Sequence, residues 1–333
     1  MAAGLGTRLR PLTYDYPKPM VPVANRPVIE HLLVLLARHG LTEVIANTHW
    51  FPDTITGPLG DGSRLGVELA YRHEEELLGT AGGVRNVADF LTAAGDSFLV
   101  MAGDALTDVD LGALREAHAA NDGIATLAVK RVANVREYGV VVADADGRIQ
   151  GFQEKPDPAE ALSDLASCMI YAFDADVFDH FPRGDPVDFA LDVFPAMLEH
   201  DAPMYVHEID SYWNDVGSLD EYLRGNLDAV EGAVRVEPAG VIVTGDDDPA
   251  DPAPPDVPDR VPLPAGTSLN GAVLVGGGVE LGAGVRIDGP AVIGPGCSIG
   301  DGARIKRSVL LPGALVPPGG LLAGAIAGRR GDS

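Results

Sequence analysis

The sequence predicts an α/β protein: a Rossmann-like, doubly wound and mainly parallel sheet over residues 1–232, then a short left-handed parallel β-helix over 266–320. Apolar strands alternate with amphipathic helices through the first two thirds of the chain. A stretch crowded with proline and aspartate then interrupts the pattern, and beyond it an apolar residue returns at every sixth position.

The first element is a loop, GLGTRLRPLTYDYPKP at residues 4–19. Gly4 and Gly6 lack a Cβ, so their backbone can come within hydrogen-bonding distance of a polyphosphate. Arg8 offers a planar fork of donors, and Lys18, held between Pro17 and Pro19, a compact ammonium. The glycines alone fit a surface turn equally well. No Gly-Lys-Ser/Thr occurs and the third glycine of the dinucleotide fingerprint is missing, so neither a Walker loop nor a nicotinamide or flavin site is expected.

Periodicity and breakers then predict a helix over 28–39 closed by Gly40, strands over 42–48 and 67–72, a helix over 80–93 and a strand over 97–102. A helix over 110–120, a strand over 123–131, a hairpin over 138–154 turning at Asp146-Gly147, and helices near 188–200 and 218–231 follow. Such alternation places helices on both faces of the sheet and a ligand crevice at the carboxyl ends of the strands. The apolar strand Phe98–Met101 runs into Gly103-Asp104, so Asp104 is expected above that crevice, either as a turn residue or as a Mg²⁺ ligand.

The proline-rich run 245–264 reads as an extended, exposed connection, giving a linker over 233–265. Beyond it Leu269, Val275, Leu281, Ile287, Ile293, Ile299, Ile305 and Leu311 keep a six-residue phase, with small or β-branched residues two places earlier. A glycine-rich coil would not hold that phase, whereas stacked hexapeptides would. Residues 321–333 are left as a tail.

Composition narrows the function. Of the 333 residues 46% are apolar, enough for a sizeable core, and no apolar run approaches the ~20 residues a membrane span needs. The N-terminus has neither a charged n-region nor an apolar h-region, so a cytoplasmic protein is expected. Cys168 and Cys297 lie far apart without metal spacing and read as buried apolar residues. A net charge of −25 opposes nucleic acid and anionic membranes as partners. Only Lys18, Lys130, Lys155 and Lys306 stand against 49 acids, a balance suited to concentrated salt, and two of those lysines fall in motifs.

The loop as a whole, Gly-x-Gly-Thr-Arg-Leu-x-Pro followed by Pro-Lys-Pro, with Pro22 also in place, resembles the sugar nucleotidyltransferases, or nucleoside-diphosphate-sugar pyrophosphorylases. Four further motifs in order extend the likeness over residues 1–230. They are Leu78–Gly83, like the family's base-binding loop; Tyr138-Gly139; Glu154-Lys155-Pro156; and Tyr212–Gly217, like Trp-x-Asp-x-Gly. The hexapeptides extend it over 266–315. Taken alone, Thr80 would read as a helix N-cap and Glu154-Lys155 as an exposed charge pair.

The resemblance implies nucleotide contacts at Ala3, Gly4, Gly6, Thr7, Gly79 and Thr80, with helix amides after Gly79 available to a ligand. It implies sugar-phosphate contacts at Gly139, Glu154 and Lys155, Mg²⁺ on Asp104 and Asp215, and charge stabilisation by Arg8 and Lys18. The implied reaction joins a sugar 1-phosphate to a nucleoside triphosphate (NTP) and releases pyrophosphate. The Gly-Thr-Ala-Gly loop and the β-helix look most like mannose-1-phosphate guanylyltransferases, with glucose-1-phosphate thymidylyl- or uridylyltransferases as alternatives.

A non-catalytic regulatory subunit shares this architecture but loses the metal and phosphate residues present here. A hexapeptide acyltransferase needs a histidine base, and none occurs after His207. The β-helix is therefore expected to join copies of the chain. In relatives an apolar strand precedes the glycine loop, whereas this chain begins Met1-Ala2-Ala3-Gly4. Most of that central strand is thus expected to be missing, with the true start upstream.

Overall fold

A computed structural model describes residues 1–93, 95, 97–184, 186–244 and 264–328. The chain divides into two compact units: Met1–Met20 with Leu32–Asp215, and Val21–His31 with the chain from Val216 onward.

In the first unit the longer strands are β1 (Glu43–Thr48), β2 (Glu68–His73), β3 (Ser97–Met101), β4 (Ala125–Arg131), β5 (Gly139–Ala143), β6 (Ile149–Glu154), β7 (Leu165–Asp174) and β8 (Met204–Glu208). The chain's α-helices include α1 (Val28–Arg38), α2 (Pro52–Leu59), α3 (Thr80–Arg85), α4 (Leu111–Ala120), α5 (Phe194–Glu199) and α6 (Leu219–Glu231). Start signals read correctly where a polar side chain caps: Asp110 accepts from Ala113 N, and Ser218 from Glu221 N. The helix expected over 80–93 is broken, with α3 ending at Arg85 and one turn following at Ala88–Leu91.

Strands β3, β4 and β8 share one direction, and β1 pairs β2 in parallel, as the βα alternation predicts. Two strands run the other way: β7 lies antiparallel to β3, β4 and β5, and β6 lies antiparallel to β5 in the expected hairpin. A register shift between Ser167 and Tyr171 divides β7: Leu165 and Ala166 face β5, while Ile170–Asp174 face β3. No strand is expected there from the sequence, because LASCMIYAFD lacks period-2 alternation. From it Tyr171 and Phe173 pack against Phe189 and Phe194, edge-on for Tyr171, with ring centroids 5.4 to 6.5 Å apart.

Residues 1–6 form no strand, and β1–β2 make a two-stranded sheet of their own. Met1 still bonds to the end of β3: its ammonium donates to Met101 O at 2.7 Å and its carbonyl accepts from Gly103 N at 2.7 Å. Burial pushes the pKa of that ammonium down.

The second unit is a parallel β-helix of three ladders. One begins Ser268↔Arg286, one Val273↔Ala291 and one Glu280↔Ser298, so each coil returns to its own face after three hexapeptides. The expected phase holds through Ile305 and then slips by one residue. Leu310, not Leu311, stacks on Ile293 and is wholly buried. The corner between Lys306 and Val309 is one residue shorter than its counterpart between Asp288 and Val292.

The ladders also continue past residue 320, through Leu321–Ala323 and Ile326–Ala327, into the stretch expected as tail. Within the expected linker, Val241–Val243 pairs antiparallel with Val273–Val275. Residues 245–263 and 329–333 lie outside the described residues. In this unit α6 is tied to the early segment: Tyr222 OH donates to Pro22 O, and Ala24 N to Asn226 Oδ1. Among the described residues no helix is long and apolar enough to cross a membrane.

Candidate active site

Three motifs far apart in sequence meet at the carboxyl end of β3. Lys18 Nζ lies 2.8 Å from Asp104 Oδ2 and donates to the main-chain oxygen of Asp215 at 3.0 Å. The lysine is 11% exposed and the aspartate 28%. At that degree of burial an ion pair is less screened than a surface pair, and each group is left one open side.

The local chain sets this geometry. Gly6 sits at φ +60° and caps the 3₁₀ turn Thr7–Leu9, with its carbonyl accepting from Leu9 N and Thr13 Oγ1. A Cβ on Gly6 would stand 2.9 Å from Lys18 Cβ and 3.0 Å from Thr13 Cγ2, so glycine is needed for the turn and for the path of the lysine stem. Asp215 is delivered by a two-residue antiparallel ladder, Trp213↔Thr107 and Asn214↔Leu106. Asp108 Oδ1 accepts from Tyr212 N, and Tyr212 O accepts from Thr107 Oγ1.

Of the other phosphate-loop residues, Ala3 is buried, while Gly4, Thr7 and Arg8 are exposed. Arg8 has no ion-pair partner among the described residues, and a Cβ on Gly4 would meet open space. On the hairpin, Gly139 stands opposite Glu154, Lys155 Nζ lies 3.0 Å from Glu154 Oε1, and both charged side chains are solvent-exposed. Tyr138, next to Gly139, packs its ring 5.3 Å from that of Trp213, and Trp213 Nε1 donates to Cys168 O. The hairpin and the Asp215 segment therefore share one aromatic contact.

The 78–83 loop differs from expectation. Gly79 (φ +81°) is itself the cap, a position where only glycine is comfortable, and a Cβ there would lie 2.3 Å from Val187 O. Thr80 is not an N-cap: its hydroxyl donates to Asp188 Oδ2 and accepts from Phe189 N. The amides of Ala81 and Gly82 both donate to Val187 O, so those two helix amides are committed within the chain and are not open to a ligand.

The donors around Lys18 are carboxylate and carbonyl oxygens, a set that suits Mg²⁺ rather than zinc. Among the described residues no group of three or more His, Cys, Asp or Glu could hold a metal by itself. Mg²⁺ needs only one or two carboxylates when phosphate oxygens and water complete its shell; here Asp104 brings a carboxylate oxygen and Asp215 a main-chain oxygen to one strand end. Burial raises the pKa of both Cys168 and Cys297, which leaves neither as a nucleophile.

Sequence reasoning missed Asn47, Glu74, Asp108 and Asp188. Asn47 ends an apolar strand, Glu74 opens the run Glu74-Glu75-Glu76 that looks like a solvated charge cluster, and the two aspartates occupy loops. Only Asn47, a polar residue closing a buried strand, carried a signal.

A family model described as nucleotidyl transferase matches residues 1–232. The chain is 38% identical over 256 residues to a UTP–glucose-1-phosphate uridylyltransferase of Synechocystis sp., covering 74% of this chain and 65% of that protein. It is 39% identical over 233 residues to a mannose-1-phosphate guanylyltransferase of Mycobacterium tuberculosis, covering 70% and 64%. The match therefore spans less than two thirds of either relative's own length. A crystal structure of a provisionally designated glucose-1-phosphate thymidylyltransferase from Bacillus anthracis, in complex with sucrose, superimposes with a TM-score of 0.62. It has 24% identity and covers 71% of this chain and 94% of that one, which is a likeness of fold.

Proposed function

Because the chain belongs to the nucleotidyl transferase family, we propose that it condenses a sugar 1-phosphate with an NTP to give a nucleoside-diphosphate sugar and pyrophosphate. The observation that carries this reading is the meeting of Lys18, Asp104 and Asp215 at one strand end. A phosphate oxygen of the sugar phosphate attacks the α-phosphorus in line, with no covalent enzyme intermediate. Mg²⁺ held by Asp104 and Asp215 supplies charge neutralisation at the triphosphate when bound.

Lys18, at the strand end beside Asp104, and Arg8, exposed and without an ion-pair partner among the described residues, would stabilise the charge that builds on the phosphate oxygens. Glu154 and Lys155 hold the sugar and its phosphate, across a strand position where Gly139 leaves room. Ala3, Gly4, Gly6, Thr7, Gly79 and Thr80 frame the nucleotide through backbone contacts.

The substrate pair we assign is mannose 1-phosphate with GTP, on the Gly-Thr-Ala-Gly loop and the guanylyltransferase relative. Glucose 1-phosphate with UTP is the second reading, favoured by the uridylyltransferase relative at nearly the same identity. A panel of NTPs crossed with sugar 1-phosphates, in Mg²⁺ and molar KCl to suit the acidic surface, separates them through pyrophosphate release. No release with any pair would leave a non-catalytic subunit as the better account. We also assign the β-helix a role in joining copies of the chain, since Leu315 and Leu321 are 65% and 75% exposed on it. A scattering mass of a single chain would remove that assignment.

A further inference from the structure

The phosphate loop and the 78–83 loop are joined by two buried polar side chains that no part of the chemistry above uses. Ala2 N donates to Asn47 Oδ1 at 2.8 Å, Asn47 Nδ2 donates to Glu74 Oε1 at 2.6 Å, and Leu78 N donates to Glu74 Oε2 at 3.2 Å. Asn47 is 7% exposed and Glu74 3%. Both sit at the carboxyl ends of β1 and β2, and Glu74 is fixed there by its own backbone, whose amide donates to Thr48 O and whose carbonyl meets His49 Nδ1 at 2.8 Å.

Helix α3 presses on the same pair without a side chain between: a Cβ on Gly83 would stand 2.5 Å from Asn47 Nδ2 and 2.7 Å from Glu74 Oε1. Keeping a carboxylate this deep is costly unless its oxygens are well used, and here each oxygen serves a different partner. A leucine or methionine would fill the same space but could not fasten two loops.

We propose that Asn47 and Glu74 are positioning residues that set the distance between the two nucleotide-binding loops, so that their loss weakens NTP binding while sparing the sugar-phosphate side. The inference rests on the reading of those loops as nucleotide contacts. The geometry also defines its own rescue. In Glu74→Gln an amide NH₂ faces either the NH₂ of Asn47 or the N–H of Leu78, so one contact is lost. In Asn47→Asp two carboxylates face each other. In the double variant Asn47→Asp with Glu74→Gln, the new carboxylate on β1 accepts from Ala2 N and from the new amide after β2, whose oxygen accepts from Leu78 N. All three bonds return with the charge moved across.

The test is equilibrium binding of GTP and UTP by calorimetry, alongside KM for NTP and for sugar 1-phosphate and a thermal melt of each variant. Losing a hydrogen bond to a charged group predicts about a tenfold weaker Kd for NTP in each single variant. The KM of the sugar 1-phosphate should stay within about threefold, and the double variant should return most of the NTP affinity. If a single variant does not fold but the double variant folds and binds NTP, the inference stands. It is overturned if the double variant binds no better than the singles, if the singles bind NTP as the native chain does, if both substrates' KM values rise together, or if the native chain binds no NTP. Native chain that binds NTP but releases no pyrophosphate would refute the catalytic reading, while the Kd values of the single and double variants would still uphold or overturn the positioning role of Asn47 and Glu74.

Discussion

Lys18 gains its environment from a residue without a side chain. Gly6 turns the loop at φ +60° and leaves the space that the lysine stem crosses on its way to Asp104. The loop's composition was legible in the sequence, because glycines beside a fork donor and an ammonium are a phosphate-binding vocabulary. What holds the acids at that spot was not, since Asp108 and the 106–107 ladder act through contacts about a hundred residues apart. A second buried residue makes a prediction about pH. His31 Nε2 lies 2.9 Å from Val23 O, a carbonyl that requires the Nε2–H tautomer, and burial pushes the imidazole pKa below its ordinary value. With the folded pKa below the unfolded one, the unfolded chain binds more protons as acid is added. Stability is therefore full above about pH 6.5 and is lost as the pH falls through and below it. The thermal midpoint should drop between pH 7.5 and 5.5, and His31→Gln, which keeps a donor but no titration, should drop less. Parallel curves for the two proteins would exclude His31 as the source.

At the scale of elements, regular periods were readable and irregular ones were not. Helices 110–120 and 218–231 were found within a residue or two because Asp110 and Ser218 cap them. Strand β7, hydrogen-bonded to three neighbours, was invisible: a strand buried on both faces has no alternation, and Cys168, Met169 and Tyr171 favour no single period. The hexapeptide phase was legible for seven positions and failed at the eighth, since a one-residue shortening at a corner leaves composition unchanged. That slip is measurable. Leu310→Ala should destabilise the unit by about 2–5 kcal/mol, the range for emptying a packed core site, while Leu311→Ala, half-buried, should cost about 1 kcal/mol or less. Equal losses, or the reverse order, in denaturant melts would restore the unbroken phase.

Across the whole molecule the charge of −25 and the meeting of Lys18 with two aspartates pull in the same direction. A surface this acidic repels a triphosphate, and in the proposed reading Lys18, Arg8, Lys155 and a divalent ion would offset that repulsion. Few lysines survive in the chain, and two of the four stand in the candidate site. The family was legible from ordered motifs, whereas base and sugar were not, because relatives named for different substrates stand at nearly equal identity to this chain. The most direct measurement is pyrophosphate release by the native chain and by Asp104→Ala, with GTP and mannose 1-phosphate, then UTP and glucose 1-phosphate, across a Mg²⁺ titration. Mg²⁺-dependent release by the native chain with at least one pair is expected, with a fall of at least about a hundredfold in the variant, as for loss of a charge-stabilising group. Release by Asp104→Ala at the native rate, or release independent of Mg²⁺, would contradict it.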